Sequence, residues 1–140
     1  MIKIDIEIKS PLASVWAALV KPALIKEYFY GTEVISEWKT GSSIRFTGTW
    51  EGKPYEDKGT ILALEPEKCL SYNYWSNFTG IPDVPENYAI IRFDLLQINS
   101  EVTKLQLTQH NSPTPTMEEN SAQGWKDVLN NLKKMLENGK

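Results

Sequence analysis

The fold is decided by the segment from Thr116 to Glu137, which reads TMEENSAQGWKDVLNNLKKMLE. Its apolar residues recur at helical spacing, which predicts one long amphipathic helix. Thr116 and Glu119 also fit a capping box, in which each side chain bonds the backbone N–H of the other residue. The apolar stripe consists of Trp125, Val128, Leu129, Leu132, Met135 and Leu136. A stripe of this length needs a large apolar surface to cover it, and the rest of the chain must supply that surface.

Most of the chain before this helix shows the alternation of apolar and polar residues that is typical of strands. From Ile2 to Ile8, isoleucines at every second position are separated by charged residues, which predicts a strand with one buried face. Two short helices are expected between Ser10 and Gly31, and six further strands between Glu33 and His110. The predicted order is β-α-α-β6-α. It indicates an α+β fold in which a curved antiparallel sheet wraps around the long C-terminal helix.

Length and composition predict a single domain over residues 1–140, large enough to bury a core without a disulfide or a metal. Cys69 is the only cysteine, so an intramolecular disulfide is excluded. The net charge is −3 and no stripe of lysine and arginine stands out, which argues against nucleic-acid binding. No apolar run is long enough for a signal peptide or a membrane span. We therefore expect a cytoplasmic protein without membrane insertion.

Four segments carry a resemblance to a known family. They are Ser10-Pro11 with Val15-Trp16, Glu37–Ser42 (EWKTGS), Gly59–Pro66 (GTILALEP), and Leu105–Asn111 (LQLTQHN) followed by Gly124-Trp125. In this order and spacing, the chain resembles the activator-of-Hsp90-ATPase homologue domain of the START-like helix-grip superfamily (SRPBCC). The resemblance implies the helix-grip fold over essentially the whole chain. It also implies a cavity between sheet and helix, whose contents differ from one member to another.

Aromatic side chains are the candidates for lining such a cavity. They supply apolar area, and tyrosine hydroxyl and indole N–H groups can orient the polar end of a ligand. The same residues would also fill an ordinary core, and the sequence leaves that alternative open. The candidate cavity-lining residues are Tyr28, Phe29, Phe46, Trp50, Tyr72, Tyr74, Trp75, Phe93, His110, Trp125 and Leu129.

The sequence shows no catalytic or metal-binding constellation. His110 is the only histidine, and no serine, cysteine or carboxylate is visibly placed to form a triad with it. Cys69 has no evident cationic neighbour that would activate its thiol. Scattered acids with one histidine and one cysteine give no ligand spacing, so we expect neither a metal nor a cofactor. Glu51, Glu56 and Asp57 are expected on a solvated edge, with the alternative that one of them faces the cavity as an acid. Arg92 is expected on a solvated strand face, and it would anchor a carboxylate ligand if it pointed inward.

These observations favour a protein that binds a small hydrophobic or amphipathic molecule, without evident catalysis. An alternative is a co-chaperone or stress-response interaction module, which would bind a chaperone through its outer surface. A further alternative is a cyclase- or hydrolase-type enzyme that uses His110 or a buried acid in the cavity. The sequence leaves open whether the protein is a monomer or a homodimer.

Overall fold

The structure is a computed structural model that describes residues 1–29, 31–50, 52–76, 81–111 and 115–138, with the backbone only of Trp50 and Met117. In chain order the elements are β1 (Ile2–Ile8), α1 (Leu12–Val20), α2 (Pro22–Tyr28), β2 (Glu33–Ser36), β3 (Ser43–Trp50), β4 (Lys53–Glu65), β5 (Cys69–Ser76), a short 3₁₀ helix (Pro85–Asn87), β6 (Ala89–Asn99), β7 (Val102–His110) and α3 (Pro115–Asn138). The predicted order of helices and strands is confirmed.

The strands form one curved antiparallel sheet in the order β1-β7-β6-β5-β4-β3-β2. From β2 to β7, strands that follow each other in the chain are neighbours in the sheet. The first strand pairs with the last one, with Ile2 opposite Gln109 and Ile8 opposite Thr103. This pairing brings the N-terminal strand beside the strand that leads to α3. The predicted helix-grip fold is confirmed.

Helix α3 supplies the apolar stripe that the sequence predicts. Leu129 and Leu132 are fully buried, whereas Met135 and Leu136 near the C-terminal end are half-buried against the same core. The predicted capping box is wrong, because Thr116 already lies inside the helix, whose first described residue is Pro115. None of the helices in the described ranges is both long and apolar enough to cross a membrane.

Strands β4 and β5 approach each other unusually closely at Gly59. A Cβ atom at this position would lie 1.7 Å from the carbonyl oxygen of Asn73, so no side chain fits there. The register shift of this strand pair lies slightly further along β4, between Ile61 and Ala63. Gly59 is therefore a close packing point of the two strands, and the irregular pairing follows it.

Candidate ligand-binding site

Five aromatic rings form a closed circuit between the sheet and α3. Phe46, Tyr72 and Phe93 project from the concave face of β3, β5 and β6, Trp125 comes from α3, and Phe29 follows α2. The centroids of consecutive rings around the circuit are 5.4–6.3 Å apart. Edge-to-face and tilted pairs at such distances are favourable because the positive edge of one ring meets the negative face of another. We refer to these five residues as the aromatic circuit.

The aromatic circuit contributes to the wall of a small apolar cavity of about 20 Å³. Aliphatic side chains from α1, α2, α3, β2, β3 and β5 complete the wall. Since one water molecule needs roughly 10–15 Å³ by this kind of measure, the cavity has room for about one. Among the described lining residues, only Phe29 and Trp38 are half-buried and the others are buried. Solvent therefore reaches the cavity wall at these two side chains.

Most of the residues predicted to line a cavity are brought together here. Those that line it are Tyr28, Phe29, Phe46, Tyr72, Phe93, Trp125 and Leu129. Tyr74 lies beside them, with its ring centroid 5.6 Å from that of Phe46, but is not part of the wall. The sequence analysis missed Trp38, which lines the cavity from the turn after β2 and has a positive φ of 56°. The feature of the sequence that could have indicated this position is the turn motif around Gly41, which reverses the chain beside the cavity three residues after Trp38.

Two other predicted residues, Trp75 and His110, lie away from the cavity. Trp75 points to the opposite face of β5 from Tyr74, and the Lys58 ammonium group lies 5.6 Å from its ring centroid. His110 is exposed at the end of β7. The side chain of Trp50 lies outside the described residues.

Some polar groups of the cavity wall form hydrogen bonds within the protein, and others do not. The Tyr28 hydroxyl donates to the carbonyl oxygen of Ala18 at 2.8 Å, and Trp125 Nε1 donates to Gln109 Oε1 at 2.7 Å. The Tyr72 hydroxyl forms no hydrogen bond with any described residue. Burial raises the pKa of both tyrosines far above the usual range, so both stay neutral.

Asp57 lies on the concave face beside the cavity, so its predicted place on a solvated edge is wrong. Only 8% of it is exposed, and the Tyr74 hydroxyl donates a hydrogen bond to its Oδ2. Desolvation raises the pKa of Asp57, while hydrogen bonds from Ser76 and Tyr74 partly lower it again. Its Oδ1 is buried without a hydrogen-bond partner among the described residues. The signal in the sequence was the alternation Asp57-Gly59-Ile61, which extends the buried face of β4 to Asp57.

Of the other charged residues considered from the sequence, Glu56 and Arg92 lie outside the cavity, and Glu51 is not among the described residues. Glu56 is exposed, as predicted, with Oε1 3.9 Å from a guanidinium nitrogen of Arg45. Arg92 is also exposed, as predicted, and its Nε bonds both carboxylate oxygens of Asp94 at 3.0 Å. Neither arginine can anchor a ligand inside the cavity.

No activated nucleophile or metal centre emerges from the part of the chain that the structure describes. Cys69 is buried and its thiol donates to Glu65 Oε2 at 3.5 Å. Desolvation and then the nearby Glu65 carboxylate raise the pKa of this thiol, which opposes formation of the reactive thiolate. Within the described ranges, no group of three histidine, cysteine or acidic residues is placed to hold a metal ion. Among the described residues, the arrangement therefore offers an apolar wall with a few polar groups.

These features define a helix-grip protein with an apolar cavity between sheet and helix. The family model described as activator of Hsp90 ATPase homolog 1-like protein matches residues 9–137. The chain belongs to this family. Among curated proteins, none matches the chain.

Solved structures show the same fold. A protein of Cytophaga hutchinsonii with a known solution structure is 42% identical, with a TM-score of 0.81 over 99% of this chain and 96% of that chain. An Hsp90 activator from Plasmodium falciparum is 17% identical, with a TM-score of 0.77 over 96% of this chain and 94% of that one. The Aha1 dimer from Colwellia psychrerythraea is 22% identical, with a TM-score of 0.73 over 100% of this chain and 99% of that one. The last two similarities concern the fold alone.

Proposed function

We propose that this protein binds a small hydrophobic or amphipathic molecule between the concave sheet and α3. The observation that carries the proposal is the aromatic circuit around free space, with half-buried Phe29 and Trp38 at its edge. Apolar walls with a small number of polar groups are the usual form of small-molecule sites. Known pockets of this kind measure roughly 300–1,000 Å³, so binding requires movement of side chains. We expect this movement at Phe29 and Trp38, because they are the described lining residues whose side chains are partly exposed.

A thermal-shift screen against lipids, aromatic metabolites and polyketides tests this proposal. A ligand present at about 100 times its dissociation constant stabilises the folded state by roughly 2.7 kcal/mol. For a chain of this length the melting temperature should then rise by roughly 5–10 °C. A screen without any hit would count against the proposal.

A pair of matched variants connects a hit to the cavity. Val128→Ile adds one methylene to a buried residue of the cavity wall, so it should reduce the thermal shift that a hit produces. Val84→Ile makes the same change on a side chain that is 38% exposed and should leave the shift unchanged. Equal shifts in both variants would place the bound molecule somewhere other than the cavity.

The family membership favours a second candidate, a co-chaperone that binds Hsp90 through its outer surface. The relative from Plasmodium falciparum is described as an Hsp90 activator. This candidate predicts that the protein is recovered with purified Hsp90 and raises its ATPase rate, and that Val128→Ile changes neither result. A pull-down that recovers nothing, together with an unchanged ATPase rate, would contradict it.

A further inference from the structure

We infer that the Asp57 carboxyl group and the Tyr72 hydroxyl form a polar anchor for the hydrogen-bond-donating end of the bound molecule, above all a protonated amine. The inference rests on the proposed function, since it specifies the chemistry of the molecule that the cavity takes. The bound molecule is then amphipathic. Its apolar part lies inside the aromatic circuit, and its donor group forms hydrogen bonds with Asp57 and Tyr72 on the sheet.

The register of the sheet places Asp57 beside a residue of the cavity wall. Asp57 on β4 is the partner of Phe46 on β3 and of Ser76 on β5. Side chains of partner residues in antiparallel strands lie on the same face, with Cβ atoms about 4.5–5.5 Å apart. Phe46 lines the cavity, whereas Asp57 is not part of the wall and lies behind it as the strand neighbour of Phe46.

The hydrogen-bonding capacity of this carboxyl group is only partly used. An ionised carboxylate accepts hydrogen bonds at both oxygens. Tyr74 donates to Oδ2 and Ser76 also forms a hydrogen bond with the carboxyl group. Oδ1 is nevertheless buried and has no partner among the described residues. A buried acceptor without a partner is unfavourable, and a donor supplied by a ligand would remove that penalty. An ammonium group would do so most strongly, because it also compensates the charge.

Tyr72 provides a second acceptor at the cavity wall. Its side chain is more than nine-tenths buried, and its hydroxyl has no hydrogen-bond partner among the described residues. Tyr72 and Tyr74 are two residues apart on β5, so their side chains lie on the same face, and their ring centroids are 5.4 and 5.6 Å from that of Phe46. The tyrosines therefore lead from the cavity wall to the Asp57 carboxyl group.

Three probes with the same phenylethyl body and different ends test the anchor. They are 2-phenylethylamine, 2-phenylethanol and 3-phenylpropanoate, each titrated at pH 7 while the methyl NMR signals of Val128 report the dissociation constant. The wild type should bind the amine about tenfold or more tightly than the alcohol, because a charged donor forms the stronger hydrogen bond. The carboxylate should bind most weakly, because Asp57 repels it.

Three variants test whether the Asp57 carboxyl group and the Tyr72 hydroxyl cause the preference for the amine. Asp57→Asn should lower the affinity for the amine to that for the alcohol. Tyr72→Phe should weaken both probes by about three- to tenfold. Glu56→Gln makes the same chemical change as Asp57→Asn on the neighbouring exposed residue and should change none of the affinities.

The possible results separate the anchor from the proposed function. Equal affinities of the wild type for all three probes, or an undiminished amine affinity in folded Asp57→Asn, would overturn the anchor and leave the cavity as the binding site. No binding of any probe at millimolar concentration would overturn both. Circular dichroism checks the fold of each variant. If Asp57→Asn does not fold, the order of the three affinities in the wild type decides the question.

Discussion

Replacing Gly59 with alanine tests the strand packing that positions Asp57 two residues away. The new Cβ would lie 1.7 Å from the Asn73 carbonyl oxygen, whereas real Cβ atoms essentially never approach another atom within 3.0 Å. The two strands must therefore move apart by about 1.3 Å, which is the difference between these distances. The separation also strains the hydrogen bond of 2.6 Å that the Thr60 backbone N–H donates to Asn73 Oδ1. Overpacking costs about 1–3 kcal/mol and a lost hydrogen bond about 0.5–1.5 kcal/mol. We expect Gly59→Ala to lower the free energy of unfolding by roughly 2–4 kcal/mol.

Urea unfolding followed by circular dichroism measures this change, and the chain offers a matched control. Gly124 lies inside α3, and a Cβ there would meet nothing within 4 Å. Gly124→Ala should therefore raise the free energy of unfolding by about 0.8–1.0 kcal/mol, since alanine is the better helix former. If Gly59→Ala unfolded within about 0.5 kcal/mol of the wild type, the close approach of β4 and β5 would be refuted, and with it the described position of Asp57.

Three further changes test the charge, packing and hydrogen bonding around the cavity. Burial raises the pKa of Asp57 above its ordinary value of 3.8, so the folded state holds this proton more tightly than the unfolded chain. The contribution of Asp57 to the free energy of unfolding should therefore fall as the pH rises from 3.8 through the raised pKa. Urea unfolding from pH 4 to 7 measures this fall, which should be absent in Asp57→Asn. Leu132→Ala, at a fully buried residue of the cavity wall, should lower the free energy of unfolding by roughly 2.7–5.0 kcal/mol, whereas Leu62→Ala at an exposed site should change it by less than about 0.5 kcal/mol. Trp125→Phe removes the hydrogen bond to Gln109 and should lower the same quantity by about 1–3 kcal/mol, and a change near zero would contradict the described pairing.

The sequence predicts the fold well because its signals are periodic and local. The apolar stripe around Leu129 and Leu132 defines α3, and the alternation from Ile2 to Ile8 defines a strand with one buried face. Both patterns act through side-chain burial, which also determines the packing of the folded chain. The start of α3 was harder to predict, because Thr116 fits a capping pattern although Pro115 before it already lies in the helix.

The site was predictable only in part, because the facing of side chains on irregular strands depends on packing between strands. Tyr72 and Phe93 follow regular alternation, and both line the cavity. Trp75 has the same aromatic character but the opposite parity on β5, so the alternation of that strand already predicts that it faces away from Tyr72. Asp57 was expected to be solvated because it is charged, yet it follows the alternation of β4 and lies on the same buried face as Gly59 and Ile61.

The most direct test of the central claim is a map of where an amphipathic molecule binds. Methyl NMR signals would be recorded while the protein is titrated with 2-phenylethylamine or a thermal-shift hit. Binding inside the aromatic circuit predicts saturable shifts of the Val128 and Leu129 methyl signals, with no change at Leu96, which is 63% exposed. Shifts confined to Leu96 and other exposed methyl groups would contradict the claim, since the molecule would then bind the outer surface and the aromatic circuit would serve only as core.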